Sequence, residues 1–576
     1  MTKGMKKGLP NYGDAGFSQF LRKAFIKAMG LSDDALGRPI VGITNTYSDF
    51  NPCHGNVPQL IEAVKRGVML AGGLPMEFPT ISIHEAFAHP TSMFLRNLLA
   101  LDTEELIRAQ PMDSVVLIGG CDKNIPAQLM AAASVDLPAV VLPTGPMVVG
   151  HYKGEVLGAC TDCRRLWAGY RAGNLSDTEI EEVNERLAPS VGTCMVMGTA
   201  STIACMTEAI GIALPGSATA PATHADRLRN AEAAGSAAAR LAKEGGPKPS
   251  EVMTPAAFRN ALTVLQAIGG STNGLIHFTA VAGRLGITLD MDDFDALGKE
   301  VPVLVDLKPS GDHYMEHFHW SGGMRRLIRE LAPNLDMTAR GVSGRTLAEI
   351  AAEAEDFPQT VIRTRDNPIA TGGGLAVLRG NLAPSGALIK RSASTERLLK
   401  HEGRAVVFDG LEDMARRLDD DALDVSADDV LVLRNAGPKG APGMPEAGYI
   451  PIPRKLARAG VKDMVRISDA RMSGTAFGTI VLHIAPEAAV GGPLALVRTG
   501  DRIRLDADAR RIDLLVDEAE LAARRAVWTA PPAPAGAERG YAWLFQNHIT
   551  QADQGCDFDF CLPPAGRRAA ASPDRT

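Results

Sequence analysis

The chain has 576 residues, 45% hydrophobic and 22% charged, which is enough apolar material for a large buried core. Its 60 basic and 67 acidic residues leave a formal charge of −7 with no basic block of five or more, which excludes a nucleic-acid binder that works by charge. The longest apolar run, Val135 to Gly150, is interrupted by Asp136, Pro138 and Pro143, so no membrane span is expected.

The first 370 residues alternate short β-branched runs with helical patterns. Pro39 to Thr44, Ser114 to Gly120 and Pro138 to Pro143 have the length and composition of buried strands. Helices are expected over Val57 to Ala71, from Pro126 onward, and over Thr199 to Ile212, His224 to Lys243, Thr254 to Ile268 and Leu275 to Leu285. Such alternation predicts an α/β domain around a parallel sheet, residues 1–370. Gly372, Gly373 and Gly374 read as a hinge. Short β-type runs follow, at Arg404 to Phe408, Asp429 to Leu433, Ile480 to Ile484, Ala495 to Arg498 and Arg511 to Val516. They predict a β-rich, barrel-like second domain over residues 371–565. Ala530 to Ala537 reads as a Pro/Ala linker, and residues 566–576 as a disordered tail.

Eight cysteines are too few for a disulfide scaffold, and the basic N-terminus has no apolar stretch behind it. A cytoplasmic protein with reduced thiols is therefore expected. Three cysteines stand in Gly-rich turns rather than in apolar periodic runs: Cys53 in NPCHG, Cys121 directly after the Ser114–Gly120 strand, and Cys194 in VGTC. Three thiolates from separate turns can hold a metal or an iron–sulfur cluster and leave one position for substrate. A lone buried cysteine is more often a small hydrophobe, which is how Cys205 reads. Cys160-x-x-Cys163 has redox or zinc spacing without a second pair to complete a site. Cys556 and Cys561 carry no assignment, and the histidine-rich stretch His313 to His319, lacking HExxH, reads as an exposed polar segment.

Taken in order from residue 51 to 498, the stretches NPCHG, GGCDKNIPA, GTCMVMGTAST, AIGGSTN, LRGNLAPSGALIK, NAGPKGAPGMPE, ISDARMSGT and PEAAVGGPLALV resemble the dihydroxy-acid and 6-phosphogluconate dehydratases. HEA at residues 84–86, SDARMSGTAFGT and the ending QNHITQADQGCDFDF look more like the sugar-acid (aldonate) branch than the branched-chain biosynthetic one. CMVMGTAST and NIPAQLMA depart from the usual sugar-acid pattern.

The resemblance implies a [2Fe–2S] cluster on Cys53, Cys121 and Cys194, with [4Fe–4S] as the alternative. It implies Mg²⁺ on Glu85, Asp122, Glu446 and Lys123, the lysine carried as a carbamate formed with CO₂. Ser473 is the implied base and Thr475 a substrate-orienting residue. The implied reaction removes water from a sugar acid to give a 2-keto-3-deoxy acid, in a homodimer or a tetramer of dimers. Two other readings compete: a dihydroxy-acid dehydratase of branched-chain amino acid biosynthesis, and a non-catalytic iron–sulfur sensor. A sensor would have no use for the oxygen ligands.

Overall fold

The computed structural model describes residues 4–7 and 12–563; the tail expected at 566–576 lies outside them. Its first unit is built on a four-stranded, all-parallel sheet of β1 (Ile40–Asn45), β2 (Leu74–Pro79), β3 (Ser114–Gly119) and β4 (Ala139–Pro143), in the order β2-β1-β3-β4. The registers pair Ile40 with Leu74, Val41 with Ser114 and Val115 with Ala139. Every residue of β3 and β4 is buried. Helices cover both faces of a parallel sheet, so such strands are apolar throughout rather than alternating. From β1 the chain runs outward to β2 and later returns on the other side to β3. The order therefore reverses between β1 and β3, and open α/β sheets bind ligands at such a reversal, beyond the carboxyl ends of the strands.

The helices lie where the periodicity predicts, among them Val57–Leu70, Asn124–Val135, Thr199–Ala209, Ala225–Glu244, Pro255–Ala267 and Thr272–Arg284. A hairpin of β5 (Gly150–Tyr152) and β6 (Glu155–Leu157) precedes the helix Thr161–Arg171. No helix among the described residues is long and apolar enough to cross a membrane.

The second unit is a closed eight-stranded barrel: β7 (Leu375–Gly380), β8 (Ala383–Lys390), β9 (Lys400–Asp409), β10 (Val430–Arg434), β11 (Arg466–Ser468), β12 (Ile480–Ala485), β13 (Arg502–Asp506) and β14 (Arg511–Leu514). Around it the strands run β10-β11-β12-β8-β7-β14-β13-β9, with Val432, Ile467, Val481, Ile389 and Ile503 in the core.

Three local expectations are corrected. Ala495 to Arg498 is no strand: Pro493–Leu496 form a 3-10 turn, since Pro493 fixes φ and lacks the N–H a ladder needs. The glycines before β7 are packed, not hinged. Gly374 N–H donates to Gln266 O at 3.1 Å, and a Cβ on Gly374 would lie 2.5 Å from Gly269 Cα. Close approach to the first unit is what requires glycine there. Finally, the histidine stretch is a short helix, Met315–Trp320, with Tyr314, Met315 and Phe318 buried. Its aromatic and methionine side chains outweigh its polar ones.

The C-terminal segment fastens the two units together. Arg96 Nη2 donates to Gly555 O (3.0 Å) and Cys556 O (2.6 Å), and Arg284 pairs with Asp557 with neither side chain exposed. Gln551 Nε2 reaches Glu487 Oε1 at 2.7 Å.

Candidate active site

The turns after the parallel strands deliver the first half of the site. The loop after β1 carries Cys53, the loop after β2 carries His84 and Glu85, and the end of β3 leads into Cys121, Asp122 and Lys123. Beside the end of β4, Thr193 N–H donates to Gly145 O (2.8 Å), which sets the turn that holds Cys194. Two of these turns are locked together by His54, a member of the NPCHG motif with no role evident from sequence. Its Nδ1–H donates to Thr46 O (2.8 Å), and its Nε2 accepts from the amides of Gly120 (2.8 Å) and Cys121 (3.1 Å). Burial holds this imidazole neutral, with a pKa lowered to about 4. Gly120 admits no side chain, because a Cβ would collide with Thr144 Oγ1, itself donating to Cys53 O at 2.8 Å.

Two donor sets result, and they touch. Cys53, Cys121 and His84 each offer a ligand atom within 4.8 Å of the others, as do Glu85, Asp122 and Glu446. Adjacent residues feed both: Cys121 with Asp122, His84 with Glu85. Cys121 Sγ lies 3.5 Å from Asp122 Oδ1. Cys53 lies against Cys121, and that thiol together with burial pushes its pKa well up; Cys194 stands outside the compact set, with His84 in the third place, and adds only a longer-range electrostatic effect. Cys194 lies against Cys160, Sγ to Sγ 3.5 Å, so the CxxC pair adjoins the thiol site, which spacing alone does not reveal. Cys160 is drawn down by hydrogen bonds from Cys163 and Cys194. Cys205 is buried in the main core as expected, and Cys556 is buried among Met93, Met444 and Phe545.

At the carboxylate set, Lys123 is fully buried with its Nζ 2.5 Å from Asp122 Oδ2 and 3.8 Å from Glu85 Oε2. Arg471 is the residue that sequence reading missed, although it stands inside the quoted ISDARMSGT motif. Its fully buried guanidinium binds Glu446 Oε1 (2.5 Å), both Glu85 oxygens (3.0 and 3.1 Å) and Thr91 Oγ1 (2.8 Å). Burial alone would raise Glu85, but Arg471, Lys123 and the hydroxyls of Ser92 and Thr91 outweigh it and hold the carboxyl well below its usual range. Glu446 is pushed up, chiefly by burial, with Arg471 opposing. An arginine joining carboxylates from both units shows that the second unit closes the site.

The loops after β10 and β11 supply that second half: Glu446 from the first, Ser473 and Thr475 from the other. Ser473 Oγ lies 2.8 Å from Thr475 Oγ1. The turn is held from the first unit by Asn273 Nδ2 on Met472 O (2.9 Å) and Thr161 Oγ1 on Thr475 O (2.9 Å), and from β8 by Lys390 Nζ on Gly474 O (3.1 Å). A Cβ on Gly474 would lie 2.6 Å from that of Ser271, so the close approach again requires glycine. Asn273, Thr161 and Lys390 are positioning residues that no local pattern marks.

The donor chemistry fits the expected groups. Thiols suit iron and carboxylate oxygens suit a hard divalent cation. A lysine ammonium beside such a cation does not fit, whereas a lysine turned into an oxygen donor does. A third donor set, His224, Asp226 and His319, lies elsewhere. There Arg229 already pairs with Asp226, and Arg227 and Arg325 surround His319, so the neighbourhood repels a cation.

Comparison with known proteins agrees with this architecture. The family model for the dihydroxy-acid/6-phosphogluconate dehydratase N-terminal region matches residues 38–350, and that for the C-terminal region matches residues 360–556. The chain is 46% identical to a 6-deoxy-6-sulfo-D-gluconate dehydratase of Pseudomonas putida, over 94% of each chain. It is 45% identical to an L-arabonate dehydratase of Azospirillum brasilense, over 100% of this chain and 99% of that one. A dihydroxy-acid dehydratase of Pyrococcus abyssi is 38% identical over 94% of this chain and 98% of its own.

Proposed function

Because the chain belongs to the dihydroxy-acid/6-phosphogluconate dehydratase family, and so to a family of hydro-lyases, we propose that it converts an aldonate to its 2-keto-3-deoxy acid and water. The observation that carries this reading is that a buried cysteine site and a carboxylate set adjoin through the neighbouring residues Cys121 and Asp122. A sensor would need only the first set. The higher identity to sugar-acid dehydratases than to the dihydroxy-acid dehydratase favours an aldonate.

In this reading Cys53, Cys121 and Cys194 hold an iron–sulfur cluster, and Glu85, Asp122, Glu446 and carbamylated Lys123 hold Mg²⁺. When bound, these groups supply a Lewis acid for the departing 3-hydroxyl and a counter-charge for the substrate carboxylate and 2-hydroxyl. The protein does the rest. Ser473 Oγ takes the proton from C2, while Thr475 Oγ1 holds that oxygen in place through their 2.8 Å contact. An ordinary serine is far too weak an acid to serve as an alkoxide, so the turn must favour negative charge there. Arg471 stands two residues away in the chain, and Lys390 Nζ donates to the next carbonyl, which fixes the turn. Loss of the C2 proton and the 3-hydroxyl leaves an enol, which tautomerises to the keto acid; one water is released and no net redox change occurs.

The test is an anaerobic screen of purified, iron-loaded protein with Mg²⁺ against pentonates, hexonates and 2,3-dihydroxyisovalerate. Fastest turnover of an aldonate is expected. Faster turnover of dihydroxyisovalerate would replace the reading with the branched-chain one. A loaded protein inert on the whole panel would favour the sensor.

A further inference from the structure

The helix Thr161–Arg171 leans on the site with one face. Cys160, its N-cap, meets Cys194 at 3.5 Å, and Thr161 Oγ1 donates to Thr475 O at 2.9 Å. Arg164 follows Cys160 by four residues and Thr161 by three, so it lies on the same face. Its guanidinium stacks over the Tyr449 ring, 4.7 Å from the centroid. Tyr449 ends the 3-10 turn that Glu446 begins, and it packs against Met472 and Ala476, the residues that bracket Ser473–Thr475. Arg164 is thereby joined through the Tyr449 ring to the turn that carries Ser473, and it shares a helix face with Cys160 at the edge of the thiol site.

Its charge acts on the thiols of Cys160 and Cys163 but, unlike that of its neighbours in the helix, on no paired carboxylate among the described residues. Arg165 pairs with Glu155 and Asp162, and Arg171 pairs with Asp419. Among the described residues no carboxylate pairs with Arg164, and its buried Nε has no hydrogen-bond partner. Stacking on an aromatic face uses the guanidinium plane and leaves the in-plane N–H donors free. A cation held this way beside a substrate site needs acceptors from the substrate.

We propose that Arg164 is a specificity-determining residue that binds the distal hydroxyls of an aldonate, beyond C3, and thereby rejects acids with an apolar distal end. This rests on the aldonate-dehydratase reading above. Sugar acids carry hydroxyls there; 2,3-dihydroxyisovalerate presents methyl groups and would leave the guanidinium unsatisfied. A site built to hydrogen-bond a hydroxyl discriminates strongly against the analogue that lacks it.

The test compares wild type, Arg164→Met and Arg164→Lys on the preferred aldonate and on dihydroxyisovalerate, with iron content and melting temperature measured in parallel. Binding of the same aldonate is measured by calorimetry in a Ser473→Ala background, where turnover does not intervene. Arg164→Met is expected to lose about 10- to 100-fold in kcat/KM and in affinity for the aldonate, the worth of a charged hydrogen bond. Its rate on dihydroxyisovalerate should hold or rise, so that the ratio of the two collapses. Arg164→Lys, which keeps the charge and loses the planar fork, should fall between. If wild type prefers the aldonate and Arg164→Met keeps both that ratio and the affinity, the assignment of Arg164 is overturned alone. A wild type faster on dihydroxyisovalerate overturns it together with the function on which it rests.

Discussion

Lys390 gives the sharpest physical prediction. It ends β8, is 1% exposed, and points its Nζ at Gly474 O under the Ser473 turn; among the described residues no carboxylate pairs with it. Burial lowers its pKa from 10.5 to about 7. The unfolded chain keeps this proton up to about pH 10.5, whereas the folded chain releases it near 7. Between those values the unfolded state binds more protons, so this residue makes stability rise with pH. Below pH 7 the penalty is constant, at about 5 kcal/mol for a shift of this size. From pH 7, where the folded chain has already released half of this proton, to pH 9 it should relax by about 2.3 kcal/mol.

Lys390→Met removes the titration. Urea unfolding of both proteins at pH 6, 7 and 9 is therefore expected to show Met more stable at pH 6 and 7, with the advantage shrinking by 2–3 kcal/mol at pH 9. A gap that does not change with pH would refute the reasoning, since it would mean that water or an anion already satisfies the ammonium. The same variant frees Gly474 O and should lower kcat at unchanged iron content.

Further predictions concern the site and the clamp behind it. Ser473→Ala should abolish turnover while iron content, measured colorimetrically, stays at the wild-type level. Cys53→Ser, Cys121→Ser and Cys194→Ser should each lower bound iron and the visible absorption of the reconstituted protein, whereas Cys160→Ser should leave iron content near wild type. Asp557→Ala leaves Arg284 buried with Glu104 alone, so it should cost about 3–5 kcal/mol in urea unfolding. It should also expose the segment around residue 550 to limited proteolysis. The double variant Arg284→Met/Asp557→Leu should recover much of that loss.

The elements and the chemistry they carry are legible one segment at a time. Buried parallel strands are continuous apolar runs, so β3 and β4 announce themselves locally, and the turns after β1 and β3 hold Cys53, Cys121 and Asp122 within a few residues of the strand ends. The motifs carrying Glu85, Glu446 and Ser473 are likewise contiguous in the chain. Which side chains meet is legible only after folding. Arg471 is an ordinary arginine until folding sets it between Glu446 and Glu85, the latter 386 residues away in the chain. Cys160 has redox spacing with Cys163 but finds its neighbour in Cys194, and the glycines before β7 prove to be close packing rather than a hinge. The reason is physical: helix and strand formation answer to neighbours a few residues away, whereas the burial, charge and partners of a side chain come from whichever segments the closed barrel and the sheet bring against it.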